Sequence, residues 1–281
     1  MSPQPRVTVR RSSVAGSFYS AEPERLRHDV DGFVARASHP RSLSGQLRAL
    51  VAPHAGYAYS GTIAGAAYAL LADVSPPPRR VAVLGPSHYV DLEEMALPEA
   101  GTFETPLGNV QVDALVAELS RRFPQVVVSA AAHTREHAIE VQLPFLQQVL
   151  PAGFTILPLT VGHTSPAEVA DVIEFVWNQP DTLVVVSTDL SHYLPQARAR
   201  EVDGATARHI VAGAFEHIRS EDACGCRPLA GLLLAAQRRG FTTELLDRGT
   251  SGDTAGDHER VVGYGAFAVY QPVSCPETIE P

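Results

Sequence analysis

The chain has 281 residues, of which 45% are apolar and 19% charged, so its length approaches the upper limit for a protein built around one hydrophobic core. Lysine and arginine number 22 against 31 aspartate and glutamate residues, and the formal net charge of −9 argues against nucleic acid as the main partner. No apolar run reaches the roughly 18 residues that a membrane span requires. Three cysteines are too few for a disulfide framework, and the polar N-terminus lacks the apolar core of a secretory signal, so we expect a cytoplasmic location.

Helical and strand patterns alternate along the chain after an extended arm over residues 1–12. Apolar periodicity predicts helices at 24–37, 63–71, 113–122, 136–146, 166–177, 196–218 and 229–239. Short runs of apolar and β-branched residues predict strands at 47–52, 80–84, 126–128, 154–159, 182–186, 242–246 and 261–270. Glycine spacing predicts short antiparallel strands within 94–112. We expect a polar loop at 248–258 and disorder over the last ten residues.

Several local signals mark helix starts. Ser165 and Glu168 form a capping box, and Asp113 is a predicted N-cap. Pro144 must lie near the first turn of its helix or kink it. Overall, the alternation predicts an α/β fold, a single domain over residues 1–281 with its core at about 6–270. Its mostly parallel or mixed central sheet would carry helices on both faces.

A histidine lies just beyond the carboxyl end of each of three predicted strands: His54, His88 and His192. One such histidine is more often structural than functional, but three of them predict a metal or acid/base site, because ligands bind at this end of open sheets. Asp189 stands three residues before His192 and is predicted to be a ligand or to orient a histidine. The alternative is a plain turn in which Asp189 caps backbone N–H groups.

Cys224 is a fourth candidate ligand, in a loop with Arg227 three residues further on. A nearby cation or a metal favours the thiolate, whereas the alternative is a buried, inert thiol. Two histidines with one thiolate would suit iron, copper or zinc. Cys226 is predicted to be a second thiol ligand or a redox partner, and we favour the ligand because adjacent C-x-C disulfides are strained.

Further residues are candidates for the surroundings of the site. His137 and Glu140 share one face of the helix predicted over 136–146, either as an acid/base pair, as groups that orient the metal ligands, or as an ordinary solvated pair. Tyr57, Tyr89 and Tyr193 each follow a site histidine closely. They are predicted to line the pocket, and a packing-only role is the equal alternative.

Six motifs in one order resemble the Memo family, whose bacterial and archaeal members are called AmmeMemoRadiSam system protein B. The resemblance spans about residues 6–270. The motifs are residues 14–19 (VAGSFY), 53–57 (PHAGY), 85–88 (GPSH), 136–145 (EHAIEVQLPF), 187–193 (STDLSHY) and Cys224-Gly225 with Pro228. The resemblance implies a fold like that of class III, LigB-type extradiol dioxygenases, in which two histidines and a carboxylate hold non-haem Fe(II).

Carried over to this sequence, the resemblance implies that His54, His88 and Cys224 hold a metal. Cysteine then replaces the carboxylate, and Asp189 and His192 form the neighbouring pair, with His192 as acid/base. Iron (Fe2+) is the favoured metal, and copper or zinc are alternatives. The family also implies association with an AMMECR1-like protein and a radical S-adenosylmethionine protein. The segment Cys226-Arg227 departs from the expected pattern and leaves the metal and its redox behaviour open.

Three functions compete at this point. The first is a metalloprotein with redox or oxygenase-type chemistry on an unidentified small-molecule or peptide ligand. The second is a non-catalytic binding module that holds a peptide or protein partner in a vestigial dioxygenase-like pocket. The third is a zinc hydrolase with Asp189 or Glu140 as base. Stoichiometric metal in the site separates the first from the second.

Overall fold

The computed structural model describes residues 8–37, 45–255 and 257–272. Its strands in these ranges are β1 (Val9–Arg10), β2 (Gln46–Ala52), β3 (Arg80–Pro86), β4 (Met95–Leu97), β5 (Thr102–Thr105), β6 (Gly108–Val112), β7 (Val126–Val128), β8 (Thr155–Val161), β9 (Thr182–Ser187), β10 (His192–Leu194), β11 (Thr242–Thr250) and β12 (Val261–Gln271). The helices are α1 (Pro23–Ala35), α2 (Tyr57–Ala69), α3 (Val116–Arg122), α4 (Ala130–Thr134), α5 (Leu143–Val149), α6 (Pro166–Trp177), α7 (Gln196–Val211), α8 (Cys226–Arg239) and α9 (Gly252–Ala255).

Parallel strands in the order β6, β8, β3, β9 and β2 form the centre of one mixed sheet. Strand β12 pairs antiparallel with β2, β10 and β11. The antiparallel pair β5–β6 confirms the hairpin predicted within 94–112. The register places Leu84 of β3 beside Leu159 of β8 and Val186 of β9, so these strands run in step towards the same edge of the sheet.

The sheet separates two apolar layers because alternate strand residues point to opposite faces. In β2, Leu50 and Ala52 join one buried cluster, whereas Ala49 and Val51 join the other. Helices α1, α2 and α5 pack in the first layer, and α6, α7 and α8 pack in the second. The predicted α/β fold with helices on both faces is therefore confirmed. Burial on both sides also explains why the central strands are nearly continuous apolar runs.

Several helix boundaries differ from the predictions. Helix α2 begins at Tyr57 rather than at residue 63, and α8 begins at Cys226 rather than at 229. The helix predicted over 196–218 ends at Val211, and a separate 3-10 turn follows at Phe215–His217. Gly213 lies between them with a φ of 69°, a left-handed conformation that glycine adopts at little cost and that ends the helix.

The helix predicted over 136–146 is wrong in its first half. Residues 136–139 lie outside any helix, Glu140–Gln142 forms a 3-10 turn, and α5 starts at Leu143. Pro144 lies in the first turn of α5, where the missing N–H costs no hydrogen bond. His137 and Glu140 therefore do not share a helix face, and the two side chains have separate surroundings.

Two predicted helix starts have different outcomes. The capping box is confirmed, because the Ser165 hydroxyl accepts from Glu168 N and the Glu168 carboxylate accepts from Ser165 N. Asp113 is not the N-cap of α3, which is Leu115. Instead, Asp113 Oδ1 accepts from Leu115 N at 2.9 Å, so the carboxylate stabilises the turn that leads into the helix.

The loop predicted over 248–258 is wrong in part. Strand β11 continues to Thr250, which pairs with Gly263, and α9 follows at once.

Of the predicted N-terminal arm, only residues 8–12 are described, and Val9–Arg10 forms a short strand beside β5. The predicted disorder over the last ten residues, 272–281, falls outside the described residues except at Pro272. No helix of the described ranges is long and apolar enough to cross a bilayer, and the cytoplasmic location stays a prediction.

Candidate metal centre

The ends of three adjacent parallel strands bring the predicted site together. His54 follows β2, His88 follows β3, and Asp189 follows β9, which lies between the other two strands in the sheet. The ring centroids of His54 and His88 are 5.1 Å apart. The sheet topology thus explains why residues far apart in sequence meet at one edge.

His54 is buried, and its ring is held in one tautomer. Its Nδ1 lies 2.9 Å from Ser187 Oγ. The Ser187 hydroxyl already donates to Ala138 O at 2.6 Å and accepts from Gln142 Nε2 at 2.8 Å. A hydroxyl has one proton, so Ser187 must accept from His54 Nδ1, which therefore carries the hydrogen. This leaves His54 Nε2 without a hydrogen, and its lone pair faces Cys224 Sγ at 3.3 Å.

The ring of His54 is also neutral. Burial is the main cause that lowers its pKa to about 3, and the neighbouring His88 lowers it further. Its backbone N–H donates to Asp189 Oδ1 at 2.8 Å, which fixes the turn after β2. A neutral imidazole with a free Nε2 lone pair is the form that binds metal ions.

His88 is oriented by a carboxylate that the sequence analysis missed. Glu136 Oε1 lies 2.9 Å from His88 Nδ1, and Glu136 Oε2 accepts from His88 N at 2.7 Å. Burial raises the pKa of Glu136, but hydrogen bonds from His88 and backbone N–H groups outweigh it and bring the pKa to about 2. The carboxylate is thus ionised and can only accept, so His88 Nδ1 carries a hydrogen and donates it, which leaves Nε2 as the ring nitrogen available to a metal.

Close backbone packing holds Glu136 in this position. A Cβ atom on Gly85, at the end of β3, would lie 2.9 Å from the Ala138 methyl group. The absence of a side chain at Gly85 lets the segment after Glu136 lie directly against the strand. Ala138 N then donates to Glu136 Oε1 at 2.9 Å, so three N–H groups converge on this carboxylate.

Cys224 reaches the site from the turn before α8. Its Sγ accepts from Asp189 N at 3.3 Å, and Gly225 N donates to Thr188 Oγ1 at 2.8 Å. A Cβ on Gly225 would lie 2.7 Å from Thr188 Cβ, so only glycine allows this approach. Burial raises the pKa of the Cys224 thiol to about 12, with the nearby Asp189 as a second cause. A bound cation reverses this preference, because coordination deprotonates a thiol.

One potential donor atom from each of His54, His88 and Cys224 lies within 4.8 Å of the other two. Two imidazoles whose Nδ1 atoms already have hydrogen-bond partners, together with one thiol, form a donor set that suits zinc, copper or iron. The residues present therefore fit a bound metal ion. A second group, His88, Glu136 and His137, meets the same distance limit, but the ionised Glu136 already has His88 Nδ1–H as its partner.

A cleft of about 630 Å³, here called the first cleft, opens beside these donors. It contains Asp189 and the exposed His192, which is the first residue of β10. His137 also lines it, and its ring stacks on that of His88 with centroids 4.7 Å apart. Tyr193 is 63% exposed at the rim, in the left-handed region at a φ of 59°. The lining residues are Ser17, Phe18, His54, Ala55, Gly56, Tyr59, His88, His137, Asp189, His192, Tyr193, Cys224, Ser251, Asp257, Arg260, Val262 and Tyr264.

A second cleft of about 700 Å³ shares two residues with the first, His88 and Cys224. Tyr89 and Cys226 line this second cleft and not the first. The candidate metal centre therefore adjoins two separate openings, and the two cysteines have different surroundings.

Comparison with known proteins assigns the family. Residues 10–268 match the family model described as Memo-like protein. This chain belongs to the Memo-like family. A Memo-like relative described as a MEMO1 family protein, from Methanopyrus kandleri, is 36% identical over 277 residues, which cover 92% of this chain and 98% of the relative. Another, from Sulfolobus acidocaldarius, is 34% identical and covers 91% of this chain and 97% of the relative.

A solved structure supports the Memo-like fold as well. The crystal structure of an uncharacterized protein from Escherichia coli K12 aligns with a TM-score of 0.50 and 15% sequence identity. The alignment covers 77% of this chain and 99% of that one. At this identity the likeness concerns the fold alone.

Two residues that were predicted to surround the site, Tyr57 and Glu140, lie away from the candidate metal centre. Tyr57 is buried in the core, where its hydroxyl donates to Val141 O at 2.7 Å. Glu140 is fully buried and lines neither cleft. Its carboxylate pairs with Arg10 and accepts from Tyr19 Oη at 2.5 Å. Glu140 therefore ties the N-terminal strand to the turn before α5.

Sequence reasoning missed Glu136, Ser187 and Tyr59. Glu136 and Ser187 orient the two histidines, and Tyr59 lines the first cleft. A signal was present for the first two. Glu136 opens the same motif as His137, and Ser187 ends the strand before Asp189, so both belong to motifs that already pointed to the site.

Proposed function

We propose that this Memo-like protein binds one transition-metal ion through His54, His88 and Cys224 and performs redox or oxygenase-type chemistry on a substrate in the first cleft. The observation that carries the proposal is the hydrogen bond at Nδ1 of each histidine. Ser187 and Glu136 each occupy the Nδ1 of one histidine, so Nε2 is the nitrogen left for a metal in both rings. Purely structural histidines would not require this shared arrangement next to a thiol.

Iron is the metal we favour, with copper or zinc as alternatives. The preference for iron comes from the resemblance to class III dioxygenases, and the soft thiolate keeps copper and zinc open. When bound, iron or copper supplies redox chemistry, whereas zinc supplies a Lewis acid. A thiolate ligand is itself oxidisable, which argues against simple ring cleavage as the reaction.

The remaining residues of the first cleft have separate roles. His192 is exposed at the cleft and is not among the grouped donor atoms, so its imidazole is available to exchange protons with substrate and solvent. Asp189 accepts from His54 N and donates its own N–H to Cys224 Sγ. It therefore fixes two proposed ligands relative to each other, and we assign it to positioning rather than to proton transfer.

The test is metal analysis of protein purified without oxygen and then reconstituted with Fe(II). We expect about one metal ion per chain in the wild type and in two control variants, His28→Ala on the exposed face of α1 and Cys226→Ala in the second cleft. The double variant His54→Ala/His88→Ala and the variant Cys224→Ala should hold little metal. Absence of metal from every sample would refute the proposal and favour the non-catalytic binding module.

Catalysis needs a separate measurement, because metal content alone does not report a reaction. His192→Gln should keep the metal content but lower oxygen uptake with an active substrate, since general acid–base catalysis contributes typically ~10²- to 10⁴-fold. Equal oxygen uptake in the wild type and in His192→Gln would remove His192 from the reaction. Substrate-dependent hydrolysis by the zinc form without oxygen uptake would instead support the hydrolase.

A further inference from the structure

The second cleft carries positive charge in a protein whose formal net charge is −9. Arg219 and Arg227 both line it. Neither guanidinium takes part in an ion pair within the described ranges, although Arg238 and Arg239 at the other end of α8 pair with carboxylates. Two unneutralised arginines in one cleft attract an anion.

Arg227 is held in place by neutral partners. Its Nη1 donates to His163 O and Thr164 O, both at 3.3 Å, and its Nη2 lies 3.3 Å from His163 Nδ1. Arginine only donates, so His163 Nδ1 accepts and His163 Nε2 carries the hydrogen, which faces Asp91 Oδ1 at 3.0 Å. Asp91 thus contacts the imidazole and not the guanidinium, and its side chain is 91% exposed.

Arg219 is exposed and lines the same cleft from the segment before α8. Its backbone N–H donates to Asp222 Oδ2 at 2.9 Å, which fixes the turn without using the guanidinium. Arg227 is therefore pre-organised, whereas Arg219 is free to close onto a ligand. Planar guanidinium groups bind carboxylate and phosphate oxygens in pairs.

We propose that the second cleft binds the anionic group, a carboxylate or phosphate, of the substrate that reacts at the metal centre. This inference rests on the proposed function. It follows from the shared walls, because Arg227 lines the same cleft as His88 and Cys224, and these two proposed ligands also line the first cleft. The preferred substrate is then a small molecule with an anionic end in the second cleft and its reacting group at the metal.

Inorganic phosphate and malonate are suitable probes, measured by calorimetric titration of the full-length protein with and without bound zinc. We expect saturable binding of at least one probe. Arg227→Gln should weaken it at least tenfold, and Arg219→Gln several-fold. The control Arg238→Gln removes an arginine that is paired with Asp171 and Glu174, and it should bind the probes like the wild type.

Absence of saturable binding, or equal affinity in the wild type and both cleft variants, would overturn the inference. Arg219→Gln keeps the test valid if Arg227→Gln fails to fold, because no side-chain hydrogen bond of Arg219 is lost within the described part of the chain. Metal content of the same samples separates the two proposals. Bound metal without probe binding refutes only the anion cleft, whereas probe binding to a protein that never holds metal refutes the proposed function and the substrate role.

Discussion

The substitution Glu136→Gln isolates the orientation of His88 from its ability to bind metal. Three N–H groups converge on the Glu136 carboxylate, from His88 Nδ1, His88 N and Ala138 N. A glutamine has nearly the same shape, but its amide oxygen has two lone pairs and its NH2 group only donates. At least one of the three donors must then face another donor, and the ionised partner of His88 is lost.

The expected loss of metal affinity follows from the role of carboxylates that orient metal-binding histidines. Removing a group that orients a metal-binding histidine typically costs about 10- to 100-fold in metal affinity. This corresponds to about 1.4 to 2.8 kcal/mol, since each tenfold change is worth about 1.4 kcal/mol. The loss should be smaller than that of the ligand variant His88→Ala, because in Glu136→Gln the imidazole is still present.

The assay is competition for Zn2+ between the protein and a chromophoric chelator, since zinc avoids oxidation of Cys224 during the measurement. Glu168→Gln is the control, because Glu168 is an exposed capping-box residue at the start of α6. Its zinc affinity should equal that of the wild type. Unchanged affinity in Glu136→Gln would refute the assignment of Glu136, and a complete loss equal to that of His88→Ala would identify Glu136 as a ligand instead.

Two further predictions concern the buried Glu140–Arg10 pair and the turn that carries Cys224. Glu140→Gln breaks the buried pair with Arg10 and should lower the free energy of unfolding by about 3–5 kcal/mol in urea titrations, without changing metal stoichiometry. Burial raises the pKa of Glu140, but Arg10 and hydrogen bonds outweigh it, so the folded pKa lies below the ordinary value of 4.5. The stabilisation by the Glu140 carboxylate is present above the unfolded pKa and is lost as the pH falls below about 4.5. Below this pH, the free energy of unfolding of the wild type should therefore fall more steeply with pH than that of Glu140→Gln. Equal pH dependence in the two proteins would contradict this role of Glu140. Gly225→Ala should displace Cys224 and weaken zinc binding, because the new Cβ would lie 2.7 Å from Thr188 Cβ; wild-type affinity would show that the turn can adapt.

The sequence alone predicts which strand ends carry the site, because the end of a strand is a local feature. Apolar runs that stop at Pro53, Gly85 and Ser187 mark three strands, and parallel strands place their ends at one edge. His54 and His88 could therefore be grouped before any coordinates were known. The link from Cys224 to His54 spans 170 positions. The local sequence made Cys224 only a candidate ligand, and the family resemblance placed it with His54 and His88.

The errors arose where a distant partner decides the structure. Glu140 looked like a neighbour of His137, but its carboxylate pairs with Arg10, 130 positions away, and this pair fixes the turn that replaces the predicted helix. The role of Glu136 depends on close packing of its segment against Gly85, which no local pattern reveals. Strand β11 is longer than predicted because β12 supplies hydrogen-bond partners up to Thr250.

X-ray absorption spectroscopy of the zinc-loaded protein tests the two-histidine, one-thiolate centre most directly. We predict one sulfur neighbour at about 2.3 Å and two imidazole nitrogens at about 2.0–2.1 Å from the zinc. The sulfur contribution should vanish in Cys224→Ala and persist in Cys226→Ala. A wild-type spectrum without sulfur, or one whose sulfur survives in Cys224→Ala, would contradict the proposed centre.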